Sequence, residues 1–251
     1  MTPRRSPRRG SPLSLERAVS RALAFTVLAA IPAWLGLPAV RAVPHPPAAA
    51  PLLAADKGRF RIMVNGQEAG QEEFEISPSG GNWIVRGTST IHAAQGVIRV
   101  TGTLELRPDG TPARYEWATE GQKKASSTVT FNGANASIEM RLGNAAPYTQ
   151  QFTFASPSVV VLDNNLYDQY AVLARLYDGT KKGVQSFAVL VPQEMTPGTV
   201  TVESLGKQNS LGKQLDELRV KTEDLELDLY LDGLRLMRVV APDSGAEIVR
   251  D

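Results

Sequence analysis

The stretch Leu225-Glu226-Leu227-Asp228-Leu229-Tyr230-Leu231-Asp232-Gly233-Leu234-Arg235-Leu236 decides the fold class. Leucine recurs at every second position from Leu225 to Leu231, with acids and a tyrosine between. That is the period of a strand with one buried face. Asp232-Gly233 reads as a two-residue hairpin turn. This pairing predicts Leu231 facing Leu234, Leu229 facing Leu236 and Tyr230 opposite Arg235 on the other face, with Asp228 diagonal to Arg235.

The same period runs through most of the chain. Phe60, Ile62 and Val64 alternate with Arg61, Met63 and Asn65, and Phe74 and Ile76 alternate with Glu73 and Glu75. Asn65-Gly66, Pro78-Ser79-Gly80-Gly81, Pro108-Asp109-Gly110 and Pro197-Gly198 punctuate the pattern as turns. Many short strands separated by such turns predict antiparallel hairpins. A sheet of this kind curls or closes to protect its edges.

One segment has a different period. After Val159-Val160-Val161-Leu162, the residues Leu166, Tyr170, Leu173 and Tyr177 are spaced by four, three and four. That spacing predicts one amphipathic helix over about 164–177. Asp163 or Asn164 is suited to cap its start, and Gly179 to end it. The expected fold is therefore mainly β: a single antiparallel curved sheet, barrel or half-barrel, with one helix packed on or in it.

The amino-terminal segment is different again. Arg4, Arg5, Arg8, Arg9, Arg17 and Arg21 precede an apolar run from Ala22 to Val40, and Val40 and Ala42 are spaced as a signal-peptidase site. Basic, apolar and small-residue regions in that order predict a cleavable secretory signal over 1–42. The product is then periplasmic or secreted. The rival reading is an uncleaved membrane anchor, since the run is near the length that spans a bilayer, although Pro32, Gly36 and Pro38 interrupt it. A Pro/Ala-rich linker follows over 43–57, then one β domain over 58–251.

Without residues 1–42 the chain carries a net charge of −5. An acidic domain with no basic cluster argues against nucleic acid as a partner. The chain has no cysteine, which excludes disulfides, thiolate metal sites and acyl anchoring through cysteine. Its only histidines are His45, in the linker, and His92, near a strand end, and neither has companions at metal-ligand spacing. No cofactor, metal site or catalytic residue is assigned.

Several segments together resemble a family of exported bacterial β-barrel domains of unknown function. They are Val161-Leu162-Asp163, Phe187-Ala188-Val189-Leu190, Leu229 to Leu236, and the closing Gly245-Ala246-Glu247-Ile248-Val249-Arg250. The resemblance covers most of 58–251. It implies a single antiparallel barrel or half-barrel in the periplasm and supplies no catalytic residues. More distantly, a helix laid against a curved sheet is similar to envelope lipid carriers of the lipoprotein-localisation type.

Three groups invite a chemical reading. Glu72, Glu73 and Glu75 suggest acid–base work, but Glu73 and Glu75 alternate with Phe74 and Ile76 as a solvated face does. Glu223, Asp224, Glu226, Asp228 and Asp232 are spread along a strand, unlike a calcium loop. Lys123-Lys124 before Ser126-Ser127 reads as a polar hairpin turn. The aromatic residues Trp83, Tyr115 and Trp117, with Tyr167, Tyr170, Leu173 and Tyr177 of the helix, are candidates to line an apolar cavity; the competing reading is that they fill the core. The expected function is a non-enzymatic binding or carrier module for an apolar, lipid-like ligand. The alternative is a structural or interaction module that binds another envelope protein and has a filled interior. Contact with a membrane follows only if the amino-terminal segment stays uncleaved.

Overall fold

The computed structural model describes residues 52–94, 96–121 and 124–251. Residues 1–42, read as a secretory signal, and most of the stretch read as linker lie outside the described residues. The elements in chain order are β1 (Asp56–Val64), β2 (Gln67–Ser79), β3 (Asn82–Ala93), β4 (Gly96–Leu106), β5 (Pro112–Glu120), β6 (Ala125–Asn132), β7 (Asn135–Leu142), β8 (Tyr148–Thr153) and β9 (Val159–Val161). Then come α1 (Asp168–Leu176), β10 (Gln185–Val191), β11 (Thr196–Ser210), β12 (Lys213–Lys221), β13 (Glu226–Asp232), β14 (Arg235–Ala241) and β15 (Ala246–Arg250). The first strand starts inside the stretch read as linker, and Leu53 just before it is buried.

All the strands form one sheet, in the order β8-β7-β6-β5-β4-β3-β2-β1-β15-β14-β13-β12-β11-β10-β9. Every pairing is antiparallel except β9 with β10. Because β1 pairs with β15, the two ends of the domain meet mid-sheet, where Asp251 accepts hydrogen bonds from Arg59 and Arg61. Hairpins with turns such as Asn65-Gly66, both left-handed, explain the meander.

Of the expected alternatives the structure shows the open curved sheet with one α-helix; the sheet does not close into a barrel. Its edges are β8 and β9, separated in sequence only by residues 154–158, yet they are not hydrogen-bonded. The valines of β9 are all buried; the strand pairs in parallel with β10 and lies against β5. The polar β8 stays outside, with no strand on its far side among the described residues.

The Leu225–Leu236 hairpin exists, but its register is shifted from the expected one. Asp232 pairs with Arg235 and Leu231 with Leu236, so Gly233-Leu234 form the turn. Gly233 alone has positive φ (+61°), which matches a type II′ turn with glycine first. A bulge beyond Leu231 then sets Tyr230 opposite Arg238, whose guanidinium lies 5.5 Å from the tyrosine ring centre. Leu227, Leu229, Leu231 and Leu236 are all buried, so the leucine face was assigned correctly. Two other turns also move. Pro197-Gly198 lies inside β11, and Ser126-Ser127 lies inside β6.

The helix is shorter than 164–177 and is not one-faced. Asn165 has φ +64°, which an α-helix cannot accommodate, so the helix begins only at Asp168. Tyr177 is extended and ends it, without a left-handed glycine. Residues around the whole circumference are buried, including Asp168, Gln169, Leu173 and Arg175. The helix sits in the hollow of the sheet, where Gln169 and Arg175 find hydrogen-bond partners.

Candidate functional site

Small residues on the buried face of the sheet admit the segment leading into α1. Glu72 pairs with Ser89, Phe74 with Gly87, and Gly87 with Gly102. A Cβ on Gly87 would stand 3.0 Å from the Asp168 carboxyl, and one on Gly102 would stand 2.7 Å from Leu166 Cδ1 and 3.2 Å from the Tyr115 hydroxyl. The Ser89 hydroxyl donates to the carbonyl of Asn165. Glycine within a strand marks close approach of other groups, and here the approaching group is the 165–168 segment.

No side chain of the helix's own sequence caps its start. The cap comes from β2. Glu72, fully buried, accepts the backbone N–H of Tyr167 at 2.7 Å and of Asp168 at 2.9 Å. A helix N-terminus offers such orphan donors. The Asp168 side chain, also buried, adjoins the Glu72 carboxyl. Burial, and then the neighbouring Asp168 charge, push Glu72 well above the usual carboxylate range. Burial likewise raises Asp168 to about 6. Two adjacent carboxyls hydrogen-bond only if one is protonated, so their proximity raises the proton affinity of the pair.

A second buried network adjoins it. Asp163 Oδ1 accepts the backbone N–H of Gln193 at 2.8 Å, and the Asp163 N–H donates to Gln169 Oε1 at 2.6 Å. Gln169 Nε2 donates to the Tyr115 hydroxyl at 3.1 Å. Burial lifts the Asp163 carboxyl to about 7, against the lowering effect of Gln193 and Tyr115.

The far end of the helix is held by charge. Arg175 donates to Leu234 O at 3.0 Å, to Ala54 O at 2.8 Å and to Asp56 at 3.4 Å. Arg250 also pairs with Asp56, at 2.7 Å, and lies over the Phe74 ring at 5.2 Å. Both ends of α1 are thus tied to β-strands by buried polar groups.

Between the helix and strands β10–β13 lies an apolar pocket of about 220 Å³. Tyr170 forms one wall, with Leu162, Val189, Val191, Val200, Val220, Leu225 and Leu227 around it, and Asp163, Asn164, Glu194 and Thr222 supply the polar part of the lining. Burial alone raises the Tyr170 hydroxyl to about 12, with no hydrogen bond offsetting it. A wider hollow of about 320 Å³ lies on the opposite face of β4–β7. It is polar, and its charged residues are ion-paired: Glu139 with Arg141 in the lining, and Glu116 with Arg114 outside it.

The residues expected to line a cavity separate into groups. Tyr170 lines the apolar pocket. Tyr115 and Leu173 are fully enclosed in the core. Trp117 is buried there too, with an indole N–H that has no acceptor among the described residues. Trp83, Tyr167 and Tyr177 pack half-buried against the core. Burial raises Tyr167, close to Glu72, above its ordinary value. Of the acids considered, Glu73 and Glu75 are exposed, and Asp228 pairs with Arg219 at 2.8 Å. His92 is exposed on β3.

The comparisons with known proteins add nothing to this geometry: no protein family, no curated protein and no solved structure matches the chain.

Proposed function

We propose that the domain is an exported, non-enzymatic binding module that takes the apolar part of a small amphiphilic molecule. The observation that carries this reading is the apolar pocket beside Tyr170. At about 220 Å³ it is smaller than the 300–1,000 Å³ clefts that enclose drug-sized ligands. It suits a short chain, or the end of a longer one. The basic, apolar and small-residue order of residues 1–42 supports an envelope or extracellular address. The resemblance to envelope lipid carriers supports the ligand class. Organic extraction of the protein purified after expression of the full chain tests the proposal. A stoichiometric apolar compound in the extract, found by mass spectrometry, is the expected result. An empty extract together with no uptake of an apolar fluorescent probe would remove the reading.

A second reading has its own observation. The edge strand β8, Tyr148-Thr149-Gln150-Gln151-Phe152-Thr153, contains no charge, no proline and no bulge. Those are the devices that normally discourage edge pairing. This supports an interaction module that accepts an extended segment of another envelope protein along β8. In that case Gln150→Pro abolishes partner capture and leaves ligand uptake intact.

A further inference from the structure

The pocket's polar groups are arranged asymmetrically, and the asymmetry bears on the ligand's head group. The amide donors at its edge are already engaged. Asn164 Nδ2 donates to Glu194 Oε1 at 2.7 Å, the Gln193 N–H donates to Asp163 Oδ1, and Gln193 Nε2 donates to Asn164 O at 3.1 Å. What remains is mainly acceptor capacity: the second Glu194 oxygen and the Asn164 side-chain carbonyl. No lysine or arginine is among the described residues that line the pocket. The nearest basic residue along β12, Lys221, is paired with Glu226 at 2.7 Å.

We infer that this pocket selects an amphiphile with a cationic ammonium head over one with a carboxylate or phosphate head. The inference rests on the binding reading above and specifies its ligand. An ammonium brings donors and no acceptor, which complements the unused acceptors of Asn164 and Glu194. An anionic head would meet Glu194 without a compensating cation. The Tyr170 hydroxyl, which can donate or accept, fits either head and does not discriminate.

The test uses octylamine, octanol and octanoate, each below its micelle-forming range, titrated into the protein by calorimetry at pH 7.5 and low salt. Octylammonium should bind at least about ten-fold tighter than octanoate, with octanol between them, and added salt should narrow the gap because Glu194 is exposed. Glu194→Gln lies at the surface and should leave the fold intact. It should cut the preference for amine over carboxylate several-fold. Octanoate or octanol binding as tightly as octylammonium would overturn the inference, as would an unchanged preference in Glu194→Gln. Failure of all three compounds to bind would instead remove the binding reading itself.

Discussion

The carboxyl groups of Glu72 and Asp168 lie side by side, both fully buried, at the start of the only α-helix among the described residues. Glu72 reaches this position from β2 and accepts two helical N–H groups. A strand side chain therefore provides the cap that the helix's own sequence lacks. Replacing Glu72 by alanine leaves two buried donors unpaired, at about 1–3 kcal/mol each. Glu72→Ala should lower stability by about 2–6 kcal/mol in urea unfolding. Glu72→Gln keeps an acceptor and removes the shared titration, so it should be much milder.

The raised carboxyls set a pH dependence. Asp163 at about 7, Asp168 at about 6 and Glu72 hold protons in the folded state that they release when unfolded. Their contribution is complete below the unfolded values near pH 4 and is lost as pH rises through the folded values. For Asp163 the shift corresponds to at most about 4 kcal/mol. Asp109 and Asp251, whose values are lowered, act in the opposite sense and only in more acidic solution. Thermal unfolding should therefore show a higher Tm at pH 5 than at pH 8. Asp163→Asn should flatten that slope; an equal slope in the variant would contradict the assignment.

At the other end of the helix, Arg175→Met would leave the carbonyls of Ala54 and Leu234 without this donor and Asp56 with Arg250 alone. Breaking a buried charge network by removing one member costs about 3–5 kcal/mol. The loss should appear in denaturant midpoints. Arg175→Lys should recover only part of it, because an ammonium cannot reproduce the forked contacts.

Gly102→Ala tests the cradle. The added Cβ meets Leu166 at 2.7 Å. Overpacking of this kind costs about 1–3 kcal/mol. Leu166→Ala in the same chain should recover part of that cost, giving a coupling measurable in a double-mutant cycle.

Much of this was legible in the sequence. The two-residue period of Leu227, Leu229 and Leu231 identified a sheet, and the four-three-four spacing from Leu166 to Tyr177 identified the helix. Glu72 shares the parity of Phe74 and Ile76, so its inward direction was readable from the alternation, but its role was not. Gly87 and Gly102, in strand interiors, were the available sign of a close approach. What the sequence did not contain was the partner of each, because those contacts join residues some 60 to 100 positions apart. The start of the helix was missed because Asn165 adopts a left-handed conformation that periodicity does not reveal. The hairpin register was missed because Gly233 took the first turn position rather than the second.

The proposed function requires the hollow beside Tyr170 to take an apolar ligand. Its most direct measurement is probe binding to wild-type protein and to Leu225→Trp. Leu225 lines the pocket yet is 41% exposed, so a larger side chain can block the opening without entering the core. The wild type should bind one equivalent of an apolar fluorescent probe, and Leu225→Trp should bind it at least about ten-fold more weakly at unchanged Tm. Equal binding by the two proteins, or none by the wild type, would contradict the claim.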